Sequence, residues 1–399
     1  VPTPLKVLCL DIEGGHGGSS RSLFHLLKNV DRKRIEPVVW CRKGGVVENW
    51  YKGLSIPCLV YPEMPKVSAL PRFSRNLLVF SQAVVDFVRA REFRRKLLYE
   101  ARHLDLVHFN HEALFLLAGW MARRSPVVRT MHIRTNLWDT MFARWQTRMI
   151  SEGCHRLVFI TENEMKTHRG LGGTASGDVI FNVAEMPDPL PSPNPTVAAL
   201  GGVRLACLSN YGWNRGVDRL IDVALALRGK GAKSVRFVIA GDMKLTRSLP
   251  GRLGEVARRG GSLEDYAREM GVADMFLFLG HVNNPESVLA ACHALVKPTR
   301  EYNPWGRDIL EALAMGKPVV SVGTYNRFVE NDKTGLLFEE FSADEFACGI
   351  AELAADPCRM SKMGKDAAQR VRRLCNGPER AAELMNFWET AYQMCSQRG

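Results

Sequence analysis

The chain lacks any uninterrupted apolar run of about 18 residues, the minimum for a helix that crosses a bilayer. It also lacks a basic-then-apolar leader. It opens Val1-Pro2-Thr3-Pro4 without an initiator methionine, as expected if N-terminal residues have been trimmed. The ten cysteines all stand singly, with no Cys-x-x-Cys pair. This spacing disfavours a zinc site and suits a reducing cytosol. No Gly-x-Gly-x-x-Gly follows the first strand and no acidic residue closes the second, so a nicotinamide cofactor is disfavoured. No recognised nucleic-acid module accompanies the basic charge, which argues against a nucleic-acid partner.

What is present is 399 residues, too many for one core, with a net charge of +12. Part of that charge lies between Arg72 and Arg102, where Arg75, Arg89, Arg91, Arg94, Arg95 and Lys96 accompany Phe73, Leu77, Phe80, Val84, Val88 and Leu98. Such a basic amphipathic stretch can lie on an anionic membrane surface, pair with phosphates, or be a solvated helix packed by its other face.

Short β-branched runs alternate with helical stretches through the first half, from Lys6–Asp11 to Asp178–Asn182. This alternation predicts a doubly wound parallel sheet. Prolines at 187, 189, 191, 193 and 195 interrupt it, and the alternation restarts at Val203. The expected organisation is an α/β protein of two facing Rossmann-like domains: residues 1–183, a Pro-rich linker at 184–200, a second domain at 201–378, and a helix at 379–399 returning to the first. A cleft between domains is the expected ligand site.

The segment from Pro298 to Val320 reads as strand end, loop, helix and strand, with Pro304 and Gly306 breaking the backbone. A helix start at the carboxyl ends of parallel strands favours an anion, so phosphate is the expected ligand. Arg307 falls in the first turn and Glu311 one turn on, on the same side; Glu311 suits a hydroxyl pair such as a ribose. Together they describe a nucleoside diphosphate. Arg215, beside Gly216 at another helix start, has the chemistry of a phosphate clamp. In the first half, the glycine-dense loop holding Gly15, His16, Gly17 and Gly18 lets backbone approach a phosphate or acceptor. His132 ends an apolar strand at the rim where ligands gather, and His108 is a weaker candidate that supports the site.

These residues resemble the retaining glycosyltransferases of family 4, which have the GT-B fold. The resemblance is carried by Gly14–Gly18, Val128-Arg129-Thr130-Met131-His132, Ile180-Phe181-Asn182-Val183, Arg215-Gly216-Val217-Asp218, Val238-Ile239-Ala240-Gly241-Asp242, Gly280-His281-Val282, the Pro298–Val320 segment and Thr334-Gly335-Leu336-Leu337. It implies metal-independent transfer of a sugar, with retained configuration, from a UDP- or GDP-sugar to a glycan or lipid-linked acceptor, without a cofactor. It also implies a role in cell-surface polysaccharide or glycolipid synthesis, in the cytoplasm or on the inner face of the plasma membrane. His132 matches the histidine at the donor sugar, Glu311 the ribose-binding glutamate, Gly306 and Arg307 the diphosphate loop, and Arg215 the place of a diphosphate-binding lysine. Gly212 and Val282 complete the expected donor site. Two positions depart from the family pattern. Asn303 replaces the first glutamate of the Glu-x7-Glu motif, with Glu301 two residues early, and Asn210 replaces an arginine. An amide cannot serve as a carboxylate nucleophile, which leaves front-face transfer. Arg300 or Arg307 is the expected substitute for the missing cation. A nucleotide-sugar epimerase and a catalytically silent sugar-nucleotide-binding protein are the alternatives.

Overall fold

The computed structural model describes residues 3–15, 17–67, 76–232 and 234–397. The chain forms two compact units, Val1–Val183 with Cys375–Gly399, and Ala184–Leu374. Each is built on one parallel sheet.

In the first unit the strands are β1 (Leu5–Asp11), β2 (Ile35–Cys41), β3 (Cys58–Val60), β4 (Leu106–Phe109), β5 (Val128–Ile133), β6 (Arg156–Phe159) and β7 (Gly177–Val179), ordered β3-β2-β1-β4-β5-β6-β7. Residues 7–10 of β1 are buried on both faces. Leu8 and Leu10 enter one core with Phe109 and Phe159, while Val7 and Cys9 enter the other with Leu23 and Val39. Alternation across a strand covered on both sides by helices produces such a continuous apolar run.

The chain returns to this unit through the Gly377–Ser396 helix. Asn376 caps it, its Oδ1 accepting from the Glu379 N–H at 3.0 Å, and Pro378 occupies the first turn. Ala381, Leu384, Met385, Trp388 and Ala391 recur at helical spacing and pack into the core with Val7 and Leu106. Arg34 grips Glu389 bidentately at 2.9 and 2.7 Å. From Ala343 onward the chain forms the helices Ala343–Ala355, Pro357–Leu374 and Gly377–Ser396, interrupted at Asp356 and at 375–376.

The second unit contains β8 (Val203–Leu208), β9 (Val235–Ala240), β10 (Phe276–Gly280), β11 (Ala294–Lys297), β12 (Val319–Val322) and β13 (Gly335–Phe338), ordered β10-β9-β8-β11-β12-β13. The strand order reverses between β8 and β11, the position where doubly wound sheets bind ligands at their carboxyl ends. The proline-rich stretch has no regular structure until Pro195–Ala198, a single turn capped by Asn194. That turn lies inside the span expected to be irregular, because a proline at the first helical position is compatible with a helix start.

The basic stretch is two helices rather than one, Asn76–Arg89 and Arg91–Glu100. Arg72, Phe73 and Arg75 lie outside the described residues. Phe93 and Leu97 are buried, whereas Val84, Val85 and Val88 are exposed, Val88 by 62%.

After β8 the chain makes a short turn of 3-10 helix (Trp213–Arg215) and passes through Gly216 at φ 71° before the Arg219–Gly229 helix. This delays the helix by three residues from its expected start at Gly216. A Cβ on Gly216 would stand 2.1 Å from the Pro298 carbonyl oxygen, so backbone conformation and close approach both require glycine. Gly216→Ala is therefore expected to destabilise the protein by about 2 kcal/mol or more, read as a lower urea midpoint. An unchanged midpoint would show that the two loops do not meet this closely in solution.

Candidate active site

In the second unit the candidates gather on the two loops at the β8/β11 reversal. Asn210, Gly212 and Arg215 follow β8; Arg300, Asn303, Gly306, Arg307 and Glu311 follow β11. Val282 follows β10, two strands away in the sheet. Backbone and side chain stitch the two loops together. The Arg300 N–H donates to the Asn214 carbonyl at 2.8 Å, and the Arg300 guanidinium grips Asp218 at 2.8 and 2.5 Å while lying 3.6 Å over the Trp213 ring. Arg300 is thus committed to holding the loop.

The helix Arg307–Ala314 begins at Gly306, which has no side chain with which to cap it. A Cβ at Gly306 would fall 2.1 Å from Lys297 Nζ, inside a nearly buried pair that joins Lys297 to Asp308 at 2.7 Å. Arg307 and Glu311 form an i,i+4 ion pair at 2.7 Å, so the Glu311 charge is partly neutralised beside an anion-favouring helix start. Arg215 is exposed and has no ion-pair partner among the described residues. It is the cation of this group that remains available to a ligand.

Neither asparagine carries a charge to replace. The Asn303 side chain accepts from Thr299 Oγ1 at 3.1 Å and donates to Glu301 at 3.0 Å, and Asn214 donates to the other oxygen of the same carboxylate. Tyr302 between them sits at φ 52°, the left-handed turn that folds Glu301 back onto Asn303. Asn210 Oδ1 accepts from the Asp242 N–H at 2.8 Å, bracing the turn after β8 against the one after β9.

In the first unit the corresponding reversal lies between β1 and β4. Asp11, at the end of β1, is fully buried and accepts from Ser20 Oγ and from Asn110 Nδ2, the latter at 3.1 Å. Burial pushes its carboxyl up, against the lowering effect of Ser20, Asn110 and Arg134. Arg134 ties the rim together, donating to the Asn110 carbonyl at 2.7 Å, to Asn110 Oδ1 at 2.5 Å and to Asn182 at 3.2 Å. Sequence reasoning missed Asp11, Asn110 and Arg134. Their signal was a polar residue at or just past the carboxyl end of a buried strand, the same signal that marked His132.

Gly15 adopts φ 92°, and the Gly18–Leu27 helix begins directly after Gly17. Ser20, inside that first turn, donates to Asp11. His16 lies outside the described residues. His132 is 1% exposed and its Nδ1 meets His108 Nε2 at 2.9 Å.

Burial pushes His108 down to about 3 and holds His132 well below the usual histidine range, with Arg134 acting in the same direction. Because the folded state binds these protons less readily than the unfolded chain, their contribution is intact above 6.5, the ordinary value, and is lost as pH falls toward about 3. The melting temperature should fall through that window. His108→Gln should flatten the fall, and identical acid profiles for the two proteins would exclude His108 as its cause.

Comparison with known proteins gives two family matches, "Glycosyltransferase Family 4" over residues 16–182 and "Glycosyl transferases group 1" over residues 202–356. An alpha-D-kanosaminyltransferase of Streptomyces kanamyceticus is 31% identical over 156 residues, which is 39% of this chain and only 37% of that protein. A GDP-mannose-dependent alpha-(1-6)-phosphatidylinositol monomannoside mannosyltransferase of Mycobacterium tuberculosis is 26% identical over 74% of this chain and 78% of its own length. Among solved structures, Anabaena HepE in complex with UDP and glucose superposes with a TM-score of 0.75 at 19% identity, covering 97% of this chain and 100% of that one.

Proposed function

From a chain that belongs to glycosyltransferase family 4 and has the GT-B fold, we propose a retaining transfer of a sugar from a nucleoside diphosphate to an acceptor hydroxyl. The observation that carries this reading is the β8/β11 reversal, where the exposed Arg215 on one loop adjoins the helix start at Gly306 with the ion-paired Glu311 one turn on. The diphosphate would lie at Gly306 and Arg215, and the ribose hydroxyls would donate to Glu311. The relatives' names support a nucleotide donor, one being GDP-mannose-dependent and one solved with UDP and glucose.

Arg300 is tied to Asp218 and Arg307 to Glu311, so Arg215 becomes the cation assigned to the leaving group. No metal is given a role. Asn303 holds Glu301 through its amide and offers no nucleophile, which favours transfer on one face of the sugar. The bond from the anomeric carbon to the diphosphate breaks, the bond to the acceptor oxygen forms on the same face, and the acceptor proton passes to the departing phosphate oxygen. The role that the family resemblance implies for His132 is a hydrogen bond to the transferred sugar. A glycan or lipid-linked acceptor, in cell-surface polysaccharide or glycolipid synthesis, fits the glycosyltransferase relatives.

UDP or GDP at 100 times its dissociation constant should stabilise the protein by about 2.7 kcal/mol, and Arg215→Ala should weaken binding about ten-fold or more. Stabilisation by neither nucleotide would refute the donor reading. Altered sugar nucleotide formed without an acceptor would instead identify an epimerase.

A second proposal concerns where the enzyme acts. No helix among the described residues is long and apolar enough to cross a membrane. Val84, Val85 and Val88 face solvent on the Asn76–Arg89 helix, and Met141 is 90% exposed. Exposed Arg89, Arg91 and Arg95 lie on that helix and the next. Apolar side chains flanked by cations suit the anionic inner face of a plasma membrane. Arg94 is a poorer contact, because its guanidinium packs 4.5 Å over Phe87 and 5.1 Å over Trp120. Anionic vesicles should therefore sediment the protein in low salt, and replacing Arg89, Arg91 and Arg95 with glutamine should release it. Equal sedimentation by neutral vesicles would count against the proposal.

A further inference from the structure

Four buried side chains of the first unit form one hydrogen-bonded line. Trp388 Nε1 donates to His108 Nδ1 at 3.3 Å, Thr130 Oγ1 lies 2.8 Å from the same nitrogen, and His108 Nε2 lies 2.9 Å from His132 Nδ1. All four are at most 1% exposed, and the His108 ring stands edge-on to both Trp388 and His132.

The direction of the line follows from its one donor-only member. An indole N–H cannot accept, so the nitrogen facing it must carry a lone pair. Were His108 protonated at Nδ1, two N–H groups would confront one another in a buried space and the indole would lose its partner, at the cost of an unsatisfied buried donor. With Nδ1 as acceptor, neutral His108 carries its proton at Nε2 and donates it to His132 Nδ1. Neutral His132 must then carry its own proton at Nε2. Thr130 does not set the direction, since its hydroxyl can donate to Nδ1 or accept from it; as a donor it shares the Nδ1 lone pair with the indole.

We propose that Trp388 of the C-terminal helix, acting through His108, locks His132 as an Nε2–H hydrogen-bond donor. Trp388 and His108 are positioning residues, and the inference rests on the reading of His132 as the group that meets the transferred sugar. Its consequence is a definite division of labour. His132 offers a proton in a hydrogen bond to a sugar oxygen and has no Nε2 lone pair with which to deprotonate an acceptor. The acceptor proton must go elsewhere, consistent with its capture by the departing phosphate. The last helix of the chain is thereby coupled to the chemistry, beyond its part in closing the core.

The test is long-range proton–nitrogen NMR on the full-length, nitrogen-15-labelled protein without substrate. The wild type should show His132 protonated at Nε2 and bare at Nδ1. His108→Gln should retain that pattern, because its amide oxygen can accept from Trp388 while its nitrogen donates to His132; turnover should stay within a few-fold of wild type. His108→Leu removes the donor and should give mixed His132 tautomers with turnover lower by ten-fold or more at little change in donor KM. Nδ1-protonated His132 in the wild type would overturn the proposal, whatever the variants do. A correct tautomer combined with full activity in His132→Ala would leave the relay standing and refute the catalytic reading of His132.

Discussion

The second unit depends on the close approach of two loops, those that follow β8 and β11. The approach is possible because Gly216 has no Cβ to strike the Pro298 carbonyl, and it is held by Arg300, whose guanidinium binds Asp218 and stacks on Trp213. Everything assigned to the nucleotide lies on one side or the other of that seam. Arg215 ends the turn before Gly216, and Gly306, Arg307 and Glu311 begin the helix after the second loop. The two asparagines that depart from the pattern expected by resemblance, Asn210 and Asn303, are used differently. Asn210 braces the backbone, while Asn303 anchors Glu301, so the loop keeps a carboxylate beside position 303 without having one at it.

The first unit solves a related problem with buried polarity. Asp11, Asn110, Arg134 and the two histidines all sit where strands end, and buried polar groups are tolerable only when each is paired. Their mutual hydrogen bonds fix the rim of the sheet. Trp388 extends the network from the far end of the sequence, which gives the closing helix a polar contact inside an otherwise apolar core.

Much of this was legible from residues. The central strands of both sheets were marked by short apolar runs, because strands of a parallel sheet covered on both faces are apolar along their length. His132 and the Gly306 helix start were visible by their position at strand ends. Pairings between distant residues were not. Arg300 looked like a substitute diphosphate ligand, yet Asp218, 82 positions away, takes its charge. The stretch around Arg94 read as one amphipathic helix, but it is two, and Arg94 lies on Phe87 and Trp120. The contact of Trp388 with His108 spans 280 positions and has no signature in composition or period.

The central claim is that the β8/β11 seam is a nucleotide site. A crystal structure of the protein with UDP or GDP tests it most directly. The account predicts phosphate oxygens within hydrogen-bonding distance of the Gly306–Arg307 backbone and of Arg215, and ribose hydroxyls on Glu311. A nucleotide bound elsewhere, or one bound at the seam with its ribose away from Glu311, would contradict it.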